Sequence, residues 1–170
     1  PEGRNTTPAI AIAALKALDI FKDKDIDPML LILSSDHEIK DIKKFHLAIK
    51  HSIDIASKDN LVIFGIPPTY PATGYGYIKS EKPLDHKGYK AIKVDQFIEK
   101  PDEKTAKHFI NDKKYSWNSG IFFFKATSII NEINTFAPEI LKNCRKSLSK
   151  SRKDLDFLRL EEKSFSKCFD

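Results

Sequence analysis

Three short apolar runs constrain this chain more than anything else in it: MLLIL at 29–33, LVIFGI at 61–66 and IFFF at 121–124. Each is uninterrupted and too short for a helix with one wet face, so each reads as a buried strand. Buried strands need helices laid over them, and the sequence between the runs supplies them. Asp41 can cap a helix over 41–57, because Ile42, Phe45, Ile49 and Ile53 fall on one face. Strand, helix and strand within about 35 residues is the spacing of a parallel βαβ crossover.

The remaining segments fit the same plan. Residues 8–22 carry apolar residues and alanines on most faces and read as a mostly buried helix, with Pro8 in its first turn and Thr7 as its cap. A turn-rich loop at 67–77 leads into the strand YGYIK, and a polar turn is expected at 84–88. AIKVDQFIEK at 91–100 alternates as a strand does, and Asp102 can cap a helix over 103–113. WNSG reads as a turn before the IFFF strand; helices then run to about 148, the second begun by Pro138. The expected class is α/β, a mixed sheet with helices on its faces. No repeat or flexible linker divides residues 1–170, so one domain is expected.

Composition removes several alternatives. Apolar residues make up 41% of the chain, enough for a core, and no run approaches the length of a membrane span. Cys144 and Cys168 lie in no metal-binding pattern and read as two free thiols, which suits a reducing, cytoplasmic setting. The net charge is +5, with six Lys/Arg and no acid in KNCRKSLSKSRK at 142–153. Such a run can hold phosphate-rich polymer. Without interleaved aromatics it reads better as a solvated helix end and loop, so nucleic acid is not the expected partner.

In open α/β sheets, ligands sit beyond the carboxyl ends of the strands. SSDH follows the strand at 29–33, PPTYPATGYG the strand at 61–66, and EKPD the strand ending at 98, so parallel strands would bring these segments to one rim. Asp36 is placed to hold Mg²⁺ beside a phosphate, although an Asx-turn uses the same residue in the same place. His37 beside it reads as a turn residue. Gly74 and Gly76 would let backbone amides approach a ligand, as they would also let a hairpin turn form. Glu99 can accept from sugar hydroxyls while Lys100 neutralises phosphate; a surface charge pair looks the same. Asn118 has donors and acceptors for paired hydroxyls, and is equally a turn-former beside Gly120.

Taken in order, GRNTTPAIAIAAL, LILSSDH, GIPPTYPATGYGYIK, FIEKPD and WNSGIFFF resemble the mannose-1-phosphate guanylyltransferases, above all the bacterial form that makes GDP-mannose. The resemblance implies a Rossmann-like nucleotide-diphospho-sugar transferase fold, mainly parallel, with helices on both faces and incomplete at both ends. It implies that GTP and mannose 1-phosphate become GDP-mannose and pyrophosphate with Mg²⁺. The sugar phosphate would attack the α-phosphorus in line, with catalysis by positioning and charge neutralisation. On the matching positions Asp36 would ligate Mg²⁺. Asn5, Thr6 and Thr7 would lie near the guanine or ribose. Gly76, Glu99 and Asn118 would hold the mannose ring, and Lys100 would contact its phosphate.

Ala72 stands where that family often has Glu, and Thr7 where Ala is usual. The family's glycine-rich phosphate loop and its second metal carboxylate are not in the 170 residues. The expectation is therefore a central fragment, inactive alone, that works with a complementary chain or as a homodimer. Two other readings stay open: a non-catalytic α/β remnant or partner-binding module of a split gene, and a transferase for another sugar 1-phosphate.

Overall fold

The computed structural model describes residues 3–84 and 90–169. Along the chain lie α1 (Thr6–Phe21), β1 (Met29–Ile32), α2 (Ile42–Ala56), β2 (Val62–Ile66), β3 (Gly76–Ser80), β4 (Val94–Glu99), α3 (Glu103–Phe109), β5 (Tyr115–Lys125), α4 (Ala126–Phe136), α5 (Pro138–Ser149), β6 (Arg152–Asp154), β7 (Phe157–Arg159) and α6 (Glu162–Phe165). The class is α/β, as expected. The polar turn expected at 84–88 lies, from residue 85 on, outside the described residues. Two compact units form, one from the residues up to Leu30 with those from Phe124 on, the other from Leu31–Phe123. No described helix is long and apolar enough to cross a membrane.

The first unit is mostly helical. Asn5, not Thr7, caps α1: its side-chain oxygen accepts from the Thr6 amide at 2.8 Å, which moves the helix start upstream of the expected one. Pro8 then falls within the first turn, where a missing N–H costs nothing, and is fully buried. Ala11 and Ala14 expose no surface, and share one core cluster with Ile130 and Ile133 of α4, Ile140, Leu141 and Cys144 of α5, and Cys168. Asp27 holds the start of α4, accepting from the Thr127 amide at 3.1 Å and from its hydroxyl. The thiols of Cys144 and Cys168 are free, as expected, and 3.8 Å apart. Burial, with Cys168 alongside, pushes the Cys144 thiol up to about 12. The basic residues of 142–153 are all exposed, on α5, at its C-cap Lys150 and on the strand after it. The β6–β7 hairpin had no clear signal in the sequence. Its register pairs Asp154 with Phe157, which puts Leu155 in the turn with a φ of 53°.

The five-stranded sheet has the order β1-β5-β3-β4, with β2 also paired to β5. The long β5 therefore organises it. β1 and β2, read from spacing as the two strands of one crossover, do not pair with each other but each with β5. β5 is antiparallel to β2, from Val62↔Phe123 to Ile66↔Trp117, and to β3, from Tyr77↔Trp117 to Lys79↔Tyr115. β3 and β4 are antiparallel, Gly76 facing Glu99. WNSG is not a turn. It lies inside β5, where Gly120 at φ 69° and a register shift opposite Ile63 and Gly65 take up the irregularity as a bulge.

Within the second unit, α2 forms over the expected residues with Asp41 as its cap, accepting from the Lys44 amide at 3.0 Å. Its inward face differs from the expected one. Ser52 and Ala56 are buried and Phe45 and Ile49 half-buried, while Ile42 and Ile53 are exposed. Small residues set that face, and a periodicity counted on large apolar residues alone misplaces it. Asp102 caps α3 as expected, accepting from the Thr105 amide at 2.7 Å. The helix stops at Phe109 rather than 113, and the chain turns at Asp112, whose side chain accepts from the Lys114 amide at 2.9 Å and whose carbonyl accepts from the Tyr115 amide at 3.0 Å. Phe109 stacks on Tyr115 with ring centroids 4.0 Å apart. Ala72, Tyr77, Ala106, Phe109, Tyr115 and Trp117 make the core beneath β3 and β5.

Candidate functional site

The strand register gathers several of the expected site residues. Across the sheet, Gly65 of β2 faces Asn118 of β5, Trp117 faces Tyr77 of β3, and Gly76 of β3 faces Glu99 of β4. The rim expected from parallel strand ends exists, but for another reason. β4 arrives where β3 begins because those two strands are antiparallel. The connection from β2 to β3 and the EKPD segment after β4 thus meet at one place. A side chain at Gly120 would lie 3.5 Å from the Ser34 hydroxyl, which brings the loop carrying Asp36 to the β5 bulge.

Gly76 has a definite steric reason. A Cβ there would sit 2.5 Å from Glu99 Oε2 and 3.2 Å from the Phe97 ring, so only glycine lets the Glu99 carboxylate close over the start of β3. Gly74 has no such reason, since a Cβ there meets nothing within 4 Å. Lys100 stands next to Glu99 with a φ of 44°, in the left-handed region and directly before Pro101. Its amide donates to the Tyr75 carbonyl at 3.2 Å, which anchors the bend. A side chain in that region costs roughly 1–2 kcal/mol, and strain of this kind collects at functional sites. Both Glu99 and Lys100 are exposed. Asn118 is half-buried, and its carbonyl oxygen accepts from the Gly120 amide at 3.1 Å, leaving its N–H donors for a hydroxyl.

Asp36 is exposed in the turn after β1. The described residues hold no cluster of three or more His, Cys, Asp or Glu. A single accessible carboxylate still matches the way Mg²⁺ is held, through one or two protein oxygens with the rest from water and phosphate. Asn5, Thr6 and Thr7 belong to the other unit, where Asn5 and Thr6 are exposed at the start of α1 and Thr7 is half-buried. Arg4 before them donates to the Ser166 carbonyl at 2.5 Å, so it has a structural task. Sequence reading passed over one group at the rim, the rings of Tyr70, Tyr75 and Trp117. Their centroids lie 4.8 Å (Tyr70–Trp117), 5.3 Å (Tyr75–Trp117) and 6.3 Å (Tyr70–Tyr75) apart. The signal was present, as an aromatic at each end of YPATGY and another in WNSG.

A sequence model described as "Nucleotidyl transferase" matches residues 1–163. The chain belongs to the nucleotidyl transferase family. Among curated relatives, a Salmonella muenchen protein named mannose-1-phosphate guanylyltransferase is 44% identical over 99% of this chain and 34% of its own length. An Escherichia coli protein of the same name is 43% identical over 99% of this chain and 36% of its own. The xanthan biosynthesis protein XanB of Xanthomonas campestris is 43% identical over 98% and 34%. This nucleotidyl transferase chain thus spans about a third of the length of the curated relatives it matches. A Helicobacter pylori crystal structure described as mannose-6-phosphate isomerase superposes with a TM-score of 0.81 at 36% identity, covering 99% of this chain and 62% of that one. A Thermus thermophilus structure described as "mannose-1-phosphate geranyltransferase" gives 0.74 at 27% identity, covering 89% and 42%. Those two descriptions name different activities, so what both share with this nucleotidyl transferase chain is the fold.

Proposed function

We propose that the protein carrying this chain joins GTP to mannose 1-phosphate, giving GDP-mannose and pyrophosphate. The observation that carries the sugar-phosphate half is the Gly76–Glu99–Lys100 arrangement: a carboxylate closed over a glycine, next to a cation held in a strained bend. Glu99 accepts from ring hydroxyls, Asn118 donates to another, and Lys100 neutralises the sugar's phosphate. Fixed in this way, the phosphate oxygen attacks the α-phosphorus of the nucleotide in line, and pyrophosphate leaves. Nothing covalent forms with the protein, so the residues act by orientation and by charge placed where it develops. Asp36 would hold a Mg²⁺ ion, which when bound neutralises phosphate charge. The names of the relatives support guanine as the base, and Asn5, Thr6 and Thr7 are its proposed contacts.

The reading is tested by following pyrophosphate release from GTP and mannose 1-phosphate by the full-length protein. Gly76→Ala forces the Glu99 carboxylate aside, so the KM for mannose 1-phosphate is expected to rise about tenfold or more while the KM for GTP holds. Equal use of glucose 1-phosphate would overturn the choice of sugar. An unchanged sugar-phosphate KM in Gly76→Ala would overturn the site.

A further inference from the structure

Tyr70 lies within PPTYPATGYG, where no role was assigned to it, yet it ties the rim together. Its carbonyl accepts from the Ala72 amide at 2.9 Å across Pro71, which makes the connection after β2 a tight, preset bend. Its ring meets Trp117 edge-on at 4.8 Å, and its hydroxyl donates to that of Tyr75 at 3.2 Å. Tyr75 in turn precedes Gly76, meets Trp117 edge-on, and offers its carbonyl to the Lys100 amide. The Trp117 indole N–H is buried with no hydrogen-bond partner among the described residues, so that ring is held by packing. Half of Tyr70 is nevertheless exposed, so it is not part of the buried core.

We propose that Tyr70 is a positioning residue for the sugar-phosphate subsite: it pins Tyr75 against Trp117, and through the Tyr75 carbonyl it holds Lys100 in its left-handed bend beside Glu99. The inference rests on the reading of Glu99 and Lys100 given above, and it concerns a residue with no described hydrogen bond to either. The rings act as a brace. Tyr70 fixes Tyr75 from one side and Trp117 backs both. Beyond the β3–β4 pairing that ends at Gly76 and Glu99, the strained Lys100 amide has one described hydrogen bond, to the Tyr75 carbonyl, so a better-held Tyr75 holds the bend more firmly.

The test uses the full-length protein with Tyr70→Phe, which keeps the ring, and Tyr70→Ala, which removes it. One readout needs no substrate: exchange of the Lys100 amide hydrogen is expected to speed up about tenfold in Tyr70→Ala and less in Tyr70→Phe. A second is steady-state kinetics. The KM for mannose 1-phosphate is expected to rise about threefold to tenfold in Tyr70→Ala, the value of one edge-on ring contact, with the KM for GTP unchanged. A third is emission of Trp117, the single tryptophan, titrated with mannose 1-phosphate; its midpoint should move with the KM. Wild-type exchange at Lys100 in both variants would overturn the inference. So would a rise in both KM values together with a fall in Tm, since that marks a merely structural residue. If the wild type does not use mannose 1-phosphate while the variants still loosen Lys100, the proposed function falls and the brace stands.

Discussion

At the scale of single residues, Lys100 separates stability from function most cleanly. Its φ of 44° suits glycine, and the ammonium is what a glycine lacks. Lys100→Gly is expected to raise stability by about 0.5–1 kcal/mol in chemical denaturation, the strain relieved less the extra freedom of the unfolded chain. The same variant is expected to lose about a hundredfold or more in kcat, the worth of one charge-stabilising donor. A loss of both stability and activity would show that the bend is not strained. Tyr77 makes the opposite case. It is fully buried, and its hydroxyl has no hydrogen-bond partner among the described residues. Tyr77→Phe is expected to leave stability unchanged or raise it by about 1 kcal/mol, because it removes a polar group whose burial is not repaid. A clear fall in the denaturation midpoint would mean that the hydroxyl has a partner. Glu99, Lys100 and Asn118 were legible as candidate ligand groups because their chemistry lies in the side chain. Tyr70 was not, because its role lies in what it touches.

Elements show how capping and charge hold the second unit. Asp41 and Asp102 accept from backbone amides at the starts of α2 and α3, and these hydrogen bonds hold both carboxyls below the usual aspartate range. Asp95 of β4 is held low by its hydrogen bond to Lys79 of β3, 2.8 Å away, and Lys79 is raised in return. A carboxyl depressed in the folded state adds stability that is complete above its unfolded value and disappears as pH falls through the folded one. Stability is therefore expected to drop below about pH 4, with the caps of α2 and α3 and the β3–β4 pair weakening together. The Lys79 share runs the other way, present below the unfolded lysine value and lost as pH rises through the raised one. Carboxyl titration by NMR checks this: midpoints for Asp41, Asp95 and Asp102 at or above those of free aspartate would contradict it. The caps of α2 and α3 were readable because a cap is a local bargain between one side chain and the next turn. The inward face of α2 was not, since Ser52 and Ala56 qualify only through what lies against them.

For the whole molecule, the two thiols report on the packing of the first unit. Cys144 and Cys168 sit in the core cluster, and burial holds the Cys144 thiol up at about 12. Only an accessible thiolate reacts, Cys144 is held protonated and Cys168 is buried, so neither cysteine is expected to take up iodoacetamide in the native protein at pH 8, while both label once denaturant opens the unit. Stoichiometric labelling of native protein, read by mass spectrometry, would show that the core opens readily. The α/β class, the positions of the apolar strands, most helix starts and the residue types at the rim are legible in the sequence, because hydropathy, capping and turn chemistry act over a few neighbouring residues. The full burial expected of β1 and β2 is not found, since β1 is half-buried throughout and β2 ends exposed. Tertiary structure decided the rest. Spacing between β1 and β2 could not reveal that β5 pairs with both, nor that WNSG is a bulge within a strand, because pairing depends on a segment more than fifty residues further on. Nor could it show that antiparallel β3 and β4, rather than parallel strand ends, bring Glu99 over Gly76. Register is a choice between distant segments, made by which arrangement buries the aromatic core.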